Sequence, residues 1–572
     1  MFAPISVEVL PREDGSLLVR SAMELGPYAS DVGGVLAQWA ERAPDRVFLA
    51  ERCGDAWRRV TYAEAFARVR SIAAGLLERG LDRDTPVAIL SENSIRHALL
   101  TLAGYYAGVP IAPISPAYST QFGDLSRLKL VLDALGPAFV FAEDRDRYAD
   151  ALALVDARYV LALDEIEATP AGPGVEMRHA RILPDDCAKI LFTSGSTGEP
   201  KGVVTTHRML CSNQRSLARL WPFLTEHAPV LVDWLPWHHT FGGSHNFNIA
   251  LFNGGTIYID DGRPVPQLLA RTVRNLSEIA PTVYFNVPRG YALLVEAMRH
   301  DERLRRSFFS SLRLLANAAA ALPRPTWEAL RAFAGETRRE IPFVGEWGAT
   351  ETSPMVTAVY FPTDDATNIG LPGPGTEVLL VPYQDKLEAR VRGPLVTPGY
   401  WKREDLTAKA FDDEGFYRIG DALRFANPGQ PARGLLFDGR TAENFKLSSG
   451  SWVDGGAVRL SVLAATAPYA DEAVVAGADR EEPAVLLFVR HNDAKTRAAI
   501  ARGLTARNRE IAASSQRVTR ALLIEEPPDP ARGELTDKGS VNQRRVLERR
   551  ADAVERLYAR APDPHVIVLD AS

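Results

Sequence analysis

The residues best suited to chemistry stand together at positions 191–202, Leu-Phe-Thr-Ser-Gly-Ser-Thr-Gly-Glu-Pro-Lys-Gly, directly after a hydrophobic run. Glycines let backbone amides approach an anion closely. The hydroxyls of Thr193, Ser194, Ser196 and Thr197 add hydrogen bonds, and Lys201 adds a point charge. The stretch has the composition of a polyphosphate cradle. It is not a P-loop, because G-x4-G-K-[ST] requires glycine where Pro200 stands and a hydroxyl residue where Gly202 stands. A solvated turn is the competing reading of any Ser/Gly-rich loop. The order of strand, hydroxyls, glycines, proline and lysine is far less common than a generic turn.

The elements that must hold such a loop come from a chain of 572 residues, long enough for more than one domain. With 46% hydrophobic and 24% charged residues the composition is that of a globular protein. Sixty-six Lys and Arg against 72 Asp and Glu leave a net charge of −6, so no global positive field exists to hold nucleic acid or an anionic membrane. Cys53, Cys187 and Cys211 have neither disulfide nor zinc spacing and read as small buried fillers. The cysteine usage makes a reducing cytoplasm the expected setting, and the first residues do not read as a secretory signal. The uncharged stretch 98–123 contains Pro110, Pro113 and Pro116, which exclude a straight membrane-spanning helix.

Thr61-Tyr-Ala-Glu64 is a capping box opening a helix that stops at Gly80. A strand at 87–90, a helix at 94–107 and a strand at 109–112 follow. The alternation continues with strands at 138–142, 159–163, 190–192, 230–235, 256–259 and 283–287, the pattern of parallel sheets covered by helices. After about Asn368, short strands at 378–381, 387–393 and 434–439 divided by Gly and Pro suggest a small β-rich subdomain. Beyond 439, strands at 484–490 and 521–524 and a charged helix at 541–559 suggest a compact α+β module. The expected fold is α/β: an N-terminal domain (1–438) of parallel-sheet subdomains plus the β-rich one, then a mobile C-terminal α+β domain (439–572).

Four further segments accompany the 191–202 loop: Trp347-Gly-Ala-Thr-Glu351, Gly415-Phe-Tyr-Arg-Ile-Gly-Asp421, Gly439-Arg440 with Glu443 and Lys446, and Gly533-Glu-Leu-Thr-Asp-Lys538-Gly. Together with the loop they resemble, in order, the motifs of the adenylate-forming superfamily, the acyl-CoA synthetases and their relatives. Ile419 stands where a hydroxyl residue is usual. The segments 208–214, 233–243, 281–288 and 440–447 give the chain its closest likeness to the bacterial feruloyl-CoA synthetases.

The resemblance implies a ligase that joins a carboxylate to the α-phosphate of ATP, releases pyrophosphate and passes the acyl group to coenzyme A. Thr193, Ser194, Ser196, Thr197 and Lys201 would then hold the β- and γ-phosphates. Glu351 would bind Mg²⁺, Thr350 would donate to the α-phosphate, Trp347 would stack on adenine, Asp421 would accept the ribose hydroxyls, and Arg440 would support that side. Lys538 would reach the α-phosphate and carboxylate when the C-terminal domain closes, with the hinge at Glu443. His239 would orient the acid, His238 being the competing position. Trp234, Trp237, Phe241, Tyr284 and Phe285 would wall a pocket for a small aromatic acid of the hydroxycinnamate type. The loop Ala316-Asn-Ala-Ala-Ala-Ala321 carries methyls, Ala319's among them, where the resemblance leads one to expect glycine, which narrows that pocket or shifts the loop. Two readings compete: an aryl- or fatty-acyl-AMP ligase that hands its product to a carrier protein, and an ATP-hydrolysing switch or kinase.

Overall fold

The computed structural model describes residues 1–120, 124–194, 200–265, 267–317, 322–337, 340–511, 513–529, 532–535, 541–559, 561 and 563–569. The capping box forms as expected: the Thr61 hydroxyl accepts from the Glu64 amide at 3.2 Å and the Glu64 carboxylate from the Thr61 amide at 2.8 Å, opening the helix Tyr62–Glu78. The helix Ile95–Ala107 is capped by Ser94 and ends on Gly108 at φ 67, a left-handed stop that glycine adopts at low cost. It is buried almost all round, which accounts for its uncharged sequence. Among the described residues no helix is long and apolar enough to cross a membrane.

Among the described residues, the strands of the N-terminal part form three sheets. In the first, the order is Phe139–Phe141, Val87–Ile89, Ile111–Pro113, Cys187–Ser194 and Pro200–Thr206. Its first four strands are parallel, and the last returns antiparallel to Cys187–Ser194. The second sheet sets Val230–Asp233 and Thr256–Ile259 parallel to Val47–Cys53, with Ala56–Thr61 at the edge. The third has eleven strands. Its parallel strands Val283–Asn286, Leu314–Asn317 and Phe343–Gly348 are continuous, through Met355–Ala358 and Asn368–Pro372, with the antiparallel strands between 377 and 440. The β-rich region is therefore hydrogen-bonded to the parallel half. Its far edge is completed by Leu17–Arg20, paired with Glu377–Leu380, and then by Glu8–Pro11. The C-terminal part is a smaller four-stranded sheet, Ala470–Ala476, Ala484–Val489, Arg520–Ile524 and Val566–Val568, with its own core around Val462, Leu487 and Leu504.

Three expectations are corrected. The strand expected at 159–163 is a 3-10 turn, Ala157–Tyr159, followed by the helix Leu163–Glu167, because the Asp156 carboxylate takes the Arg158 amide at 3.0 Å and starts a turn. The helix expected at 541–559 breaks into Gln543–Arg549 and Ala551–Leu557 at Arg550, whose backbone lies at φ −102, ψ 34 and whose guanidinium pairs with buried Glu534 at 2.7 Å. Cys53 is exposed at the end of its strand, while Cys211 is buried as expected.

The buried Asn213, on the helix His207–Leu220, donates to the Met355 carbonyl at 2.8 Å and so holds the segment that follows Glu351. Replacing it with leucine leaves that carbonyl without its donor. Asn213→Leu is expected to lower the unfolding free energy by about 1–3 kcal/mol, read from urea denaturation followed by tryptophan fluorescence.

Candidate active site

The strands Cys187–Ser194 and Pro200–Thr206 form an antiparallel hairpin in which Thr193 pairs with Lys201 and Ser194 with Pro200. The hydroxyl- and glycine-rich stretch thus joins two strands of one sheet. Ser196 and Thr197 lie outside the described residues, as do Ala319 and Lys538. At the hairpin's far end the backbone is clamped to the segment after Thr397. The Trp401 amide donates to the Gly202 carbonyl at 2.8 Å and the Val204 amide to Gly399 at 3.1 Å.

This clamp delivers Tyr400 to Lys201. The ammonium donates to the Tyr400 hydroxyl at 2.7 Å, and that hydroxyl donates to Glu351 Oε1 at 3.0 Å. Lys201 and Glu351 also meet directly at 3.2 Å. The Tyr417 hydroxyl lies 3.4 Å from that of Tyr400. Burial alone would depress the lysine pKa, but the Glu351 charge and Tyr400 outweigh it, so the shift is upward and Lys201 stays a cation. Burial and the Glu351 charge push the phenols of Tyr400 and Tyr417 up, so both remain hydrogen-bond donors.

Glu351 and Thr350 form a buried 3-10 turn directly after the strand Phe343–Gly348, and the Glu351 carbonyl accepts from the Thr397 amide at 2.8 Å. Trp347, on that strand, is buried among Val19, Val356 and Leu423, and its indole N–H donates to Asp421 Oδ2 at 2.9 Å. Asp421 reaches this position through a bulge. Residues 418–422 stand opposite 388–390, and Gly420 at φ 80 allows the extra length. Across the sheet Asp421 is in register with Arg440, whose exposed guanidinium lies 3.5 Å from Asp421 Oδ1. Arg440 ends its strand, and Glu443 follows on a 3-10 turn. Burial there raises the Glu443 pKa against the opposing charges of Arg440 and Arg459.

The candidate acid-pocket residues divide. Phe241 and Phe285 meet edge to face at 6.1 Å, with His245 5.4 and 5.1 Å from them. His239 is half-buried beside His238, ring centroids 4.3 Å apart, and burial drives the His238 pKa far down. Tyr284 lies in the core: strand alternation turns it away from Phe285, against Tyr291 and Phe308. Trp237 packs in the main core on His97 and Phe247.

Glu351 is a single carboxylate beside a cationic loop, and no group of three or more His, Cys, Asp or Glu residues placed to hold an ion occurs among the described residues. That donor set fits Mg²⁺, which takes one or two carboxylates and completes its shell with substrate phosphates and water. The sequence reading missed Tyr400 and gave no role to Tyr417. The one available signal was the Pro398-Gly399 turn that throws an aromatic hydroxyl back toward the hairpin.

A hairpin that carries a cation, a carboxylate able to hold a metal and a second carboxylate at a sheet bulge are groups suited to a nucleotide. The chain belongs to the AMP-binding enzyme family, which it matches over residues 36–401, and its residues 445–562 match the AMP-binding enzyme C-terminal domain. It is 30% identical over 391 residues, 64% of this chain and 71% of the relative, to the 3-[(3aS,4S,7aS)-7a-methyl-1,5-dioxo-octahydro-1H-inden-4-yl]propanoyl:CoA ligase of Mycobacterium tuberculosis. Its fold is similar to MatB from Rhodopseudomonas palustris with ATP bound (TM-score 0.69, 24% identity, 91% of this chain and 99% of that one). It is likewise similar to O-succinylbenzoate coenzyme A synthetase from Bacillus subtilis in complex with ATP and magnesium ion (TM-score 0.70, 20% identity, 91% and 99%).

Glu351→Gln is expected to cost about 2 kcal/mol of stability by stranding the largely buried Lys201 cation. The double variant Glu351→Gln/Lys201→Met should recover most of that loss. A double-mutant cycle on thermal unfolding reads both values.

Proposed function

We propose that this protein is an AMP-forming acid:CoA ligase that activates a small aromatic carboxylic acid, of the hydroxycinnamate class typified by ferulate, in the cytoplasm. The observation that carries the reading is the junction of Lys201, Tyr400 and Glu351, which unites a polyphosphate-suited hairpin with a metal-suited carboxylate from distant parts of the chain. The family match and the named CoA ligase relative support it.

In this reading Lys201 and the hydroxyls of Thr193, Ser194, Ser196 and Thr197 hold the β- and γ-phosphates. Thr350 donates to the α-phosphate and Asp421 accepts the ribose hydroxyls, with Arg440 beside it. Adenine lies at the Trp347 end. Glu351 would hold Mg²⁺, which supplies charge neutralisation on the phosphates. The acid lies against Phe241, with Phe285 behind it, and His239 orients its carboxylate. One carboxylate oxygen attacks the α-phosphorus, the bond to pyrophosphate breaks, and Lys538 offsets the charge that gathers there. The thiolate of coenzyme A then attacks the acyl carbon, forming the thioester and expelling AMP. Residues 1–438 bind ATP and acid, and residues 439–572 turn about Glu443 between the two steps. A planar acid suits this wall, because its ring can stack on that of Phe241.

Acid-dependent exchange of labelled pyrophosphate into ATP is expected across a panel of hydroxycinnamates, strongest for ferulate-like acids, with AMP released when free coenzyme A is added. ADP as product, or exchange with alkyl acids alone, refutes the reading, and an acyl group accepted only by a carrier-protein thiol corrects the acceptor. Asp421→Ala should raise the ATP KM about tenfold or more through loss of charge-assisted bonds to the ribose. Lys538→Ala should suppress adenylation at least about a hundredfold yet leave thioester formation from supplied acyl-adenylate nearly intact.

A further inference from the structure

Lys189 takes no part in the chemistry above, and its setting is costly. Its side chain is 1% exposed on the strand Cys187–Ser194. Among the described residues no carboxylate offsets that burial, which pulls its pKa down to about 7. An apolar residue of similar length would fill the space at lower desolvation cost. Among the described residues Nζ donates to the Gly243 carbonyl at 2.7 Å.

Gly243 lies at the middle of a π-helical turn, Phe241–Asn246, a geometry uncommon in proteins and concentrated at functional sites. Its amide donates to the His239 carbonyl at 2.8 Å, so this one residue is tied to His239 through its N–H and to Lys189 through its C=O. The turn is wedged as well as tied. A Cβ at Gly243 would stand 2.1 Å from the Trp237 carbonyl oxygen, and one at Gly242 would stand 2.4 Å from that of Leu235. Beside Lys189 lies a cavity of about 10 Å³ lined by His97, Thr101 and Trp237, room for about one water. His97 Nε2, Thr101 Oγ1 and Trp237 Nε1 have no protein partner among the described residues, so a water held there would extend the lysine's polar grip into the loop that carries Trp237.

We propose that Lys189 is a positioning residue for the acid half of the site: through the Gly243 carbonyl it fixes the π-turn that carries Phe241 and follows His239. The role rests on the ligase reading and deepens it. Four residues further along the same strand Thr193 enters the phosphate-suited loop, so one strand sets the register of both half-sites.

The test uses the full chain with Lys189→Met, which keeps an unbranched side chain without a donor, and Lys189→Gln, which keeps an N–H donor one atom shorter. Lys189→Met is expected to speed amide hydrogen exchange at 239–246 about tenfold in the substrate-free protein while leaving 200–206 unchanged. It should also raise the acid KM in pyrophosphate exchange about tenfold, with the ATP KM within about twofold, and Lys189→Gln should fall between it and the wild type. Unchanged hydrogen exchange, faster exchange with an unchanged acid KM, or an equal rise of both KM values overturns the proposal. Failure of both variants to fold assigns Lys189 to the fold alone and overturns it too. Absence of exchange activity in the wild-type protein with every acid would count against the ligase reading instead, and the hydrogen-exchange measurement would still decide the role of Lys189 in the turn.

Discussion

One charge pair, a buried carboxylate with a half-buried lysine, organises the site. Lys201 belongs to the first sheet and Glu351 to the turn after a strand of the third, so their contact at 3.2 Å fixes how two independently hydrogen-bonded sheets meet. A cation and a carboxylate in a poorly hydrated place each cost more alone than together. Tyr400, bonded to both from a third segment, leaves the pair with little freedom to separate without loss of two hydrogen bonds. The clamp from Gly399 and Trp401 onto the hairpin backbone, the Thr397 bond to Glu351 and the Asn213 bond to Met355 all serve the same junction.

The second centre, Trp347 with Asp421, relies on backbone more than on charge. A bulge at Gly420 aims a carboxylate that a regular strand would send elsewhere, and an indole N–H holds it. Arg440 lies across the ladder from it and opens the way to the C-terminal sheet. Near that crossing, Lys386 contacts the Asp438 carbonyl and the carboxylate of Asp454, which caps the helix Gly455–Thr466. The passage between the two parts of the chain is thus lined by paired charges.

Much of this was legible in the sequence because it depends on short-range chemistry. The Thr61 capping box, the helix from Ser94 and most of the strands alternating with helices follow from local rules and formed close to their expected places, the strand expected at 159–163 excepted. The loop at 191–202 announced itself by composition, whereas the returning strand Pro200–Thr206 did not. What stayed hidden depends on distant partners. Nothing local marks Tyr400 as the bridge between Lys201 and Glu351, because that role exists only once Gly399 pairs with Val204. Tyr284 and Phe285 are equally aromatic neighbours, and only the orientation of their strand sends one into the core around Phe308 and the other toward Phe241 and His245. The change of texture near Asn368 is real, yet it divides strands of a continuous sheet, since ladder bonds leave no trace in composition.

That continuity bears on biosynthesis. The strand Leu17–Arg20 finds its second ladder partner at Glu377–Leu380, about 360 residues later. At ribosomal rates of roughly 5–20 residues per second, the apolar stretch Leu17-Leu18-Val19 leaves the exit tunnel and waits some tens of seconds before the edge it belongs to can close. The nascent chain therefore carries an open β-edge for most of its synthesis, and shielding that edge is a task for whatever meets the chain at the ribosome.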